Sequence, residues 1–293
     1  MQMADRLLKT PPYPFAELAR LKREAIANGV DLINFGIGDP DTPTPDFVVQ
    51  AMQRAVENPA YHQYDETDIG LPMMLEAIAA WYAKRFGVPL DPKTEILRLI
   101  GSKEGIAHLA WAVLNPGDLV LVPDPGYPVY KVSTLFADAE SYAMPLRPAR
   151  GFVPDLAAIP SDVADRAKLM WLCYPNNPTG ATVDLDFLAE AVAFAQKHDI
   201  LIGMDLAYSE IYYEDDCVPP SMLQVPGAKE VCIEFHSFSK PFNMTGWRIG
   251  WACGNPDALA ALNKLKSNLD SGAFLAIQEA ATVALTTDTT AYF

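Results

Sequence analysis

Short apolar runs alternate with amphipathic helical segments along this chain, and no other feature restricts its fold so strongly. The apolar runs are too short for helices and are interpreted as buried strands. They occupy residues 96–100, 119–122, 169–173, 200–204 and 231–235. Helical patterns occupy residues 73–86, 105–114, 185–198 and 256–266. This alternation predicts an α/β fold whose mainly parallel central sheet is flanked by helices. Ligands bind at the carboxyl ends of the strands in such sheets, so the residues that follow each strand are the functional candidates.

Composition excludes several classes of protein. The chain has 293 residues, of which 50% are hydrophobic, so wholesale disorder is excluded. Its net charge is −15 and its Lys and Arg residues do not cluster, which argues against a nucleic-acid partner. No apolar run reaches the ~18 residues of a membrane span, and residues 1–14 lack a secretory signal. We expect a cytoplasmic protein of one large domain or two unequal ones.

Cysteine and histidine usage points away from disulfides and metal. Four cysteines lie in apolar stretches without a CxxC pair, which predicts buried free thiols. They are Cys173, Cys217, Cys232 and Cys253. The four histidines are isolated from one another in sequence, so no metal site is predicted. The sequences GxSxG, HExxH and Walker A are absent, and Gly36 and Gly38 begin a dinucleotide fingerprint that fails at Asp41.

The segment GSKEG at 101–105 joins a predicted strand to a predicted helix. Free backbone N–H groups at a helix start form an anion site, to which the Ser102 hydroxyl could add a donor. A plain helix cap formed by Ser102 is the simpler interpretation of the same residues.

Polar residues also follow two other strands. Asp205 follows the strand at 200–204, and Tyr208 lies three residues further on. Asp205 could contact a ligand or cap a turn. Asn177 lies in the turn sequence YPNNPTG at 174–180, where its amide could orient a ring oxygen or a carbonyl.

The most informative segment is FHSFSKPFNMTGWR at 235–248. Lys240 follows an apolar strand, and a partly desolvated lysine has a lowered pKa and acts as an amine nucleophile. Ser237 and Ser239 flank it, and Arg248 could clamp a phosphate. A solvated loop lysine is the alternative, against which the surrounding Trp, Phe, Met and Gly residues argue. An amine, a strand-end carboxylate and an anion site together match the requirements of pyridoxal 5'-phosphate.

Several motifs make the whole chain resemble the class I/II (fold-type I) aminotransferases. SFSK at 237–240 followed by GWRIG at 246–250 is highly specific, and NPTG at 177–180 and DLAY at 205–208 are nearly as specific. Within the family the chain is most similar to the LL-diaminopimelate aminotransferase group. That similarity is carried by GIGDP at 36–40, HQY at 62–64, IGSKEGIAH at 100–108, VPDPGYPVY at 122–130 and KSNLDSG at 266–272. A bacterial alanine aminotransferase group is also similar.

The resemblance implies a role for each matching position. Lys240 would bind pyridoxal phosphate and act as the catalytic base, Asp205 would pair with the ring nitrogen, and Tyr208 with Asn177 would hold the ring oxygen. Tyr127 would stack on the ring. The implied phosphate ligands are Ser102, Lys103, Ser237, Ser239 and Arg248. Tyr64 and Asn268 match positions that the family supplies across a homodimer interface. The implied substrate contacts are Tyr13, Gly38, Lys103, Tyr127, Asn177 and Asn268.

One departure from the family concerns the end of the chain. Family members continue past the equivalent of Phe293 and there supply an arginine for the substrate carboxylate, which no residue here matches. The resemblance thus implies an N-terminal arm with part of a small domain at 1–45, a large cofactor-binding domain at 46–285, and a truncated start of the C-terminal small domain at 286–293.

The expected function is transfer of an amino group between a small amino acid and a 2-oxo acid, with glutamate and 2-oxoglutarate as one pair and LL-diaminopimelate as the expected substrate. Alanine or aspartate transamination remains open, as does C–S lyase or decarboxylase chemistry on the same fold. A transcription regulator would need a DNA-binding domain, and a nicotinamide oxidoreductase would need the fingerprint that is broken here.

Overall fold

The computed structural model describes residues 2–35, 38–65, 67–213 and 217–288. Its centre is a seven-stranded sheet in the order β1-β7-β6-β5-β4-β2-β3. The strands are β1 (Ile96–Leu99), β2 (Leu119–Asp124), β3 (Glu140–Pro145), β4 (Ala167–Cys173), β5 (Leu201–Asp205), β6 (Cys232–Ser237) and β7 (Gly250–Gly254). β7 runs antiparallel to both of its neighbours, and the other pairs are parallel. The expected α/β fold with a mainly parallel sheet is confirmed.

Helices cover both faces of this sheet. The helices of the described residues are α1 (Asp5–Leu8), α2 (Pro14–Ala27), α3 (Asp46–Ala55), α4 (Pro72–Phe86), α5 (Ser102–Val113), α6 (Pro128–Phe136), α7 (Ser161–Arg166), α8 (Leu185–His198), α9 (Ala228–Val231), α10 (Pro256–Lys266) and α11 (Leu275–Thr286). One buried cluster joins α3, α4, α8 and α11 to the sheet, and a second joins α5, α6 and α10 to the opposite face. Each strand therefore buries alternate side chains against different helices, which the two-residue period of a strand requires.

Sequence patterns failed to predict two strands. β3 lies at the edge of the sheet with most of its side chains exposed, so it has no apolar run. β7 is short and has glycine at both ends, which weakens its strand signal although every residue is buried. The strand expected at 231–235 is β6, shifted by one residue, because Val231 ends α9.

The prediction of buried thiols is wrong at one position. Cys173, Cys232 and Cys253 are buried free thiols, whereas Cys217 is exposed. Cys217 lies outside the strands and helices, whereas Cys173, Cys232 and Cys253 lie on strands of the sheet.

The N-terminal segment packs less tightly than the layers around the sheet. Within residues 2–35, large apolar side chains such as Leu21, Ile33 and Phe35 are exposed, Phe35 by 93%. The residues after this segment are hydrogen-bonded to the loop after β6, where Thr44 Oγ1 donates to the Asn243 carbonyl over 2.8 Å. In the described parts of the chain, no helix combines the length and apolar character needed to cross a membrane. Gly36, Ile37 and residues 289–293 lie outside the described residues.

Candidate active site

The carboxyl ends of the parallel strands carry the predicted functional residues. β5 ends at Asp205, β6 ends at Ser237 just before Lys240, and the loop after β4 contains Asn177. Tyr127 caps the start of α6 in the connection that follows β2. Burial raises the pKa of Tyr127, and the nearby Tyr13, Asp205 and Tyr208 raise it further. Residues that are far apart in sequence are therefore close enough at this edge of the sheet to affect the pKa of Tyr127.

Asp205 is a buried carboxylate whose two oxygens differ. Its side chain is 5% exposed, and Oδ2 accepts a hydrogen bond of 2.7 Å from the Tyr130 hydroxyl. Oδ1 is buried and accepts no hydrogen bond of regular geometry from the described residues. Desolvation raises the pKa of Asp205 to about 6, although the Tyr130 hydroxyl, the Ala207 N–H and the charge of His236 act in the opposite direction. A buried oxygen of this kind can accept a hydrogen bond from a ligand.

Lys240 lies beside this carboxylate edge. Its Nζ donates to the Gly38 carbonyl over 3.0 Å and stands 5.8 Å from the centroid of the Tyr208 ring. Burial lowers the pKa of Lys240, and Asp39 partly offsets that effect. A lysine with a lowered pKa is the type of amine that attacks a carbonyl carbon, so the solvated-loop alternative does not describe Lys240.

The first turn of α5 lies next to Arg248, where the anion site was predicted. Ser102 is the first helical residue and Gly101 is the cap, so the simpler interpretation of Ser102 as the cap is wrong. Gly101 has φ +81°, and a Cβ there would overlap the Arg248 guanidinium. Arg248 Nη1 also donates to the Thr245 carbonyl over 2.8 Å. A guanidinium beside free helical N–H groups attracts an anion such as a phosphate.

Two serines reach the same corner through the strand register. Ser237 pairs with Gly250 across β6 and β7, and Gly250 packs against the Ser102 N–H. Ser239 donates its backbone N–H to Ser237 Oγ over 3.1 Å, which fixes the turn between the two serines. Both serines are buried.

Lys103 points to two aromatic rings. Its Nζ lies 3.4 Å from the Tyr13 hydroxyl and 5.8 Å from the centroid of the Tyr127 ring. The exposed ammonium group of Lys103 thus lies near both Tyr13 and Tyr127.

The adjacent amides of the loop after β4 have different partners. Asn176 is buried, and its Oδ1 accepts from the Thr179 hydroxyl over 2.8 Å while its Nδ2 donates to the Cys173 carbonyl. Asn177 is half-buried, and its backbone hydrogen-bonds the Cys173 thiol. Asn176 therefore holds the loop, and Asn177 is the amide available to a ligand. Burial raises the pKa of the neighbouring Tyr208 to about 12, which keeps its hydroxyl a donor.

Tyr64 and Asn268 do not join these residues within the chain. Tyr64 is 82% exposed and lines a separate cleft of about 220 Å³ with the buried Arg98 and Lys266. Asn268 is exposed just after α10 and donates to the Lys264 carbonyl over 2.8 Å. The lining of that cleft includes neither Lys240 nor Asp205.

Sequence reasoning missed Tyr130, the partner of Asp205. Its position three residues after Tyr127 on a helix was the available signal, because such residues share a face.

A further cavity of about 850 Å³ opens beside Lys240 and Asn243, between their loop and residues 42–47.

The fold and the site together define an α/β enzyme that carries an amine, a carboxylate and an anion pocket at one sheet edge. A sequence model described as "Aminotransferase class I and II" matches residues 30–291. The chain belongs to this family. It is 56% identical to the LL-diaminopimelate aminotransferase of Moorella thermoacetica over 98% of this chain and 73% of that protein. It is 54% identical to the enzyme of the same name from Syntrophobacter fumaroxidans over 97% of this chain and 73% of that protein.

Solved structures agree with this family membership. A substrate-bound BacF structure from Bacillus subtilis superposes with a TM-score of 0.93 at 42% identity, covering 98% of this chain and 72% of that chain. A mutant aspartate aminotransferase of Thermus thermophilus superposes with a TM-score of 0.90 at 29% identity, covering 98% of this chain and 73% of that chain. The expected family and fold class are confirmed.

Proposed function

We propose that this chain is a pyridoxal 5'-phosphate-dependent aminotransferase that moves an amino group between LL-diaminopimelate and 2-oxoglutarate. The cofactor assignment rests on Oδ1 of Asp205, which is buried and accepts no hydrogen bond of regular geometry from the described residues. Asp205 is 5% exposed and lies at the same sheet edge as Lys240. A protonated ring nitrogen is a donor that suits this oxygen. The diaminopimelate assignment is supported by relatives of that name that are more than 50% identical over nearly the whole chain.

The residues at the sheet edge fit each part of the cofactor. Asp205 would hold the ring nitrogen in its protonated form, and Asn177 with Tyr208 would donate to the ring oxygen. Tyr127 would cover one ring face. The phosphate would bind at the first turn of α5 between Arg248 and hydroxyl groups. The residues proposed for it are Ser102, Lys103, Ser237, Ser239 and Arg248.

The chain's own groups would perform the binding and proton-transfer steps. Pyridoxal phosphate, when bound, supplies a ring that accepts electrons from the substrate carbon. The burial of Lys240 lowers its pKa, which makes the neutral amine accessible for covalent attachment and for moving a proton. Tyr13 and Lys103 border the open side of Tyr127, where the substrate would enter, and Gly38 accepts from Lys240 on the same side.

Two exposed residues support a homodimer with shared sites. Tyr64 and Asn268 point to solvent in a region apart from Lys240, and we propose that each contacts the cofactor or substrate of a second copy. The proposed division is an arm at 1–45, a large domain at 46–285 and the start of a small domain at 286–293, of which 289–293 lie outside the described residues. We also propose a cytoplasmic location, without membrane or nucleic-acid partners.

The test is a visible spectrum of the purified protein with pyridoxal phosphate, followed by addition of amino donors. We expect a lysine-linked absorption band that is absent from Lys240→Ala. LL-diaminopimelate and glutamate should bleach the band, whereas alanine and aspartate should act far more slowly. Faster bleaching by alanine or aspartate would overturn the diaminopimelate assignment. Release of pyruvate and ammonia would indicate lyase chemistry instead, and no band in the wild-type protein would overturn the cofactor assignment.

A further inference from the structure

The orientation of the Asp205 carboxylate depends on Tyr130, the last residue of the motif VPDPGYPVY at 122–130. Tyr130 lies 75 positions earlier in the chain, and its hydroxyl donates to Asp205 Oδ2 over 2.7 Å. Because Oδ2 is held in this way, the buried Oδ1 is the oxygen that remains for a ligand. Rotation of the carboxyl group would break the only short side-chain hydrogen bond that Asp205 makes among the described residues.

Packing leaves Tyr130 no alternative position. Its side chain is fully buried, and its ring stacks on Trp171 of β4 with centroids 5.2 Å apart and planes 16° apart. Tyr127 contacts the Tyr130 ring in a T-shaped arrangement, with centroids 5.9 Å apart. The interior of a protein is close-packed, so a fully buried side chain in contact with two such rings has little freedom to change rotamer.

A glycine on β5 makes room for this arrangement. A Cβ at Gly203 would overlap the six-membered ring of Trp171. Gly203 lies two residues before Asp205, on the same face of β5, and it lets the indole lie flat against the strand. The absence of one side chain on β5 thus places Trp171, which in turn places Tyr130 over Asp205.

The hydrogen bond also has an electrostatic effect. Burial raises the pKa of the Asp205 carboxyl group, and donation from Tyr130 counteracts that rise because it stabilises the ionised form. The pKa of Tyr130 itself is raised by burial and by Asp205, so its hydroxyl stays protonated as a donor. The other titratable groups near Asp205 are Tyr127, Cys173, Tyr208 and His236.

We propose that Tyr130 is a positioning residue that keeps Asp205 ionised and directs its Oδ1 to the ring nitrogen of the cofactor. This inference rests on the proposed function. Without the Tyr130 hydroxyl, the carboxyl group would be protonated more readily and free to turn. The ring nitrogen would then lose the carboxylate that keeps it protonated, and the cofactor would bind less tightly.

The test is a pH titration of the lysine-linked absorption band in the wild-type protein and in Tyr130→Phe. Loss of positive charge at the ring nitrogen makes protonation of the lysine-linked nitrogen easier, because two like charges no longer repel. We therefore expect the pH midpoint of the band to rise by about one unit in Tyr130→Phe. Loss of one hydrogen bond to a charged group also predicts about 10- to 100-fold weaker binding of pyridoxal phosphate.

Two controls isolate the role of the hydroxyl. Tyr82→Phe removes another buried tyrosine hydroxyl that donates to a carboxylate, Glu234, and it should leave the midpoint unchanged. Cofactor methylated at the ring nitrogen has a fixed charge, so the midpoints of the wild-type protein and Tyr130→Phe should coincide when each carries it. A difference that persists with the methylated cofactor would overturn the proposal.

A second variant keeps the proposal testable if Tyr130→Phe does not fold. Fluorotyrosine at position 130 keeps the ring and strengthens the donor, so it should shift the midpoint downward. A lysine-linked band whose midpoint is the same in all Tyr130 variants would overturn this inference alone. A wild-type protein that forms no such band would overturn the proposed cofactor, and this inference with it.

Discussion

Two buried carboxylates on neighbouring strands show how a site differs from a structural network. Asp205 on β5 pairs with Phe235 on β6, and Glu234 immediately precedes Phe235. Because side chains alternate along a strand, Glu234 faces the layer of α4 and α8 while Asp205 faces that of α5 and α6. The two groups are 0% and 5% exposed, respectively. Burial alone does not distinguish them.

Hydrogen bonding does distinguish them. Glu234 accepts from the Tyr82 hydroxyl, from Ser221 Oγ over 3.0 Å and from the Met222 N–H over 2.6 Å. The chain itself thus satisfies both of its oxygens. Asp205 has a short bond on one oxygen and a buried, unpartnered second oxygen. A buried carboxylate that is closed by its own chain stabilises the fold, whereas one left open is available for a ligand.

The largest expected effect separates the two carboxylates by rate. Asp205→Asn should lower the rate of amino transfer by about 10²- to 10³-fold, because a neutral amide cannot hold the ring nitrogen protonated. The free energy of unfolding of the cofactor-free variant, measured with urea at neutral pH, should stay the same or rise by at most about 3 kcal/mol, since a buried charge is removed. Glu234→Gln is the matched control and should keep its rate. Equal loss of rate in both variants would contradict the distinction.

The second expected effect separates the carboxylates by stability. Glu234→Ala should lower the free energy of unfolding by about 3–5 kcal/mol, because the Tyr82 and Ser221 hydroxyls and the Met222 N–H lose a buried acceptor. Urea denaturation at neutral pH measures this loss. Asp205→Ala, compared in the same way, should cost less because fewer donors depend on it. A larger cost at Asp205 would reverse the comparison.

The third prediction concerns pH. The pKa of Asp205 in the folded chain is about 6, which is above the usual carboxyl value near 4 in the unfolded chain. Between these values the folded state binds more protons, so the stability of the cofactor-free protein should fall as pH rises from about 4 to about 6. The contribution is at most about 3 kcal/mol. Thermal unfolding of the wild-type protein and Asp205→Asn should show this slope only in the wild type.

The smallest expected effect is that of a single hydroxyl on the closed network. Tyr82→Phe should lower the free energy of unfolding by about 1 kcal/mol, because Glu234 keeps Ser221 and Met222 as donors. Amino transfer should continue at the wild-type rate. A change in the rate comparable to that of Asp205→Asn would show that the two faces of the sheet are coupled, contrary to the comparison.

Local patterns in the sequence predicted much of this structure. The helices α8 and α10 were predicted to the residue, because an apolar face and a capping Asp184 or Asn255 are encoded within a few positions. Lys240, Asp205 and Arg248 were predicted as site residues because each follows a buried strand or lies in a specific motif. The signals of β3 and β7 were too weak, since edge exposure in one and glycines in the other remove the apolar run.

The sequence by itself determined the fold class and the family, because these depend on residue types at short, fixed spacings. Only the tertiary structure decided which buried carboxylate is open. Tyr130 meets Asp205 across 75 positions, and Tyr82 meets Glu234 across 152 positions. No periodicity or spacing records contacts of this length, because they arise from how separate strands and helices pack. Packing therefore decides which buried oxygens accept hydrogen bonds from the chain and which remain available to a ligand.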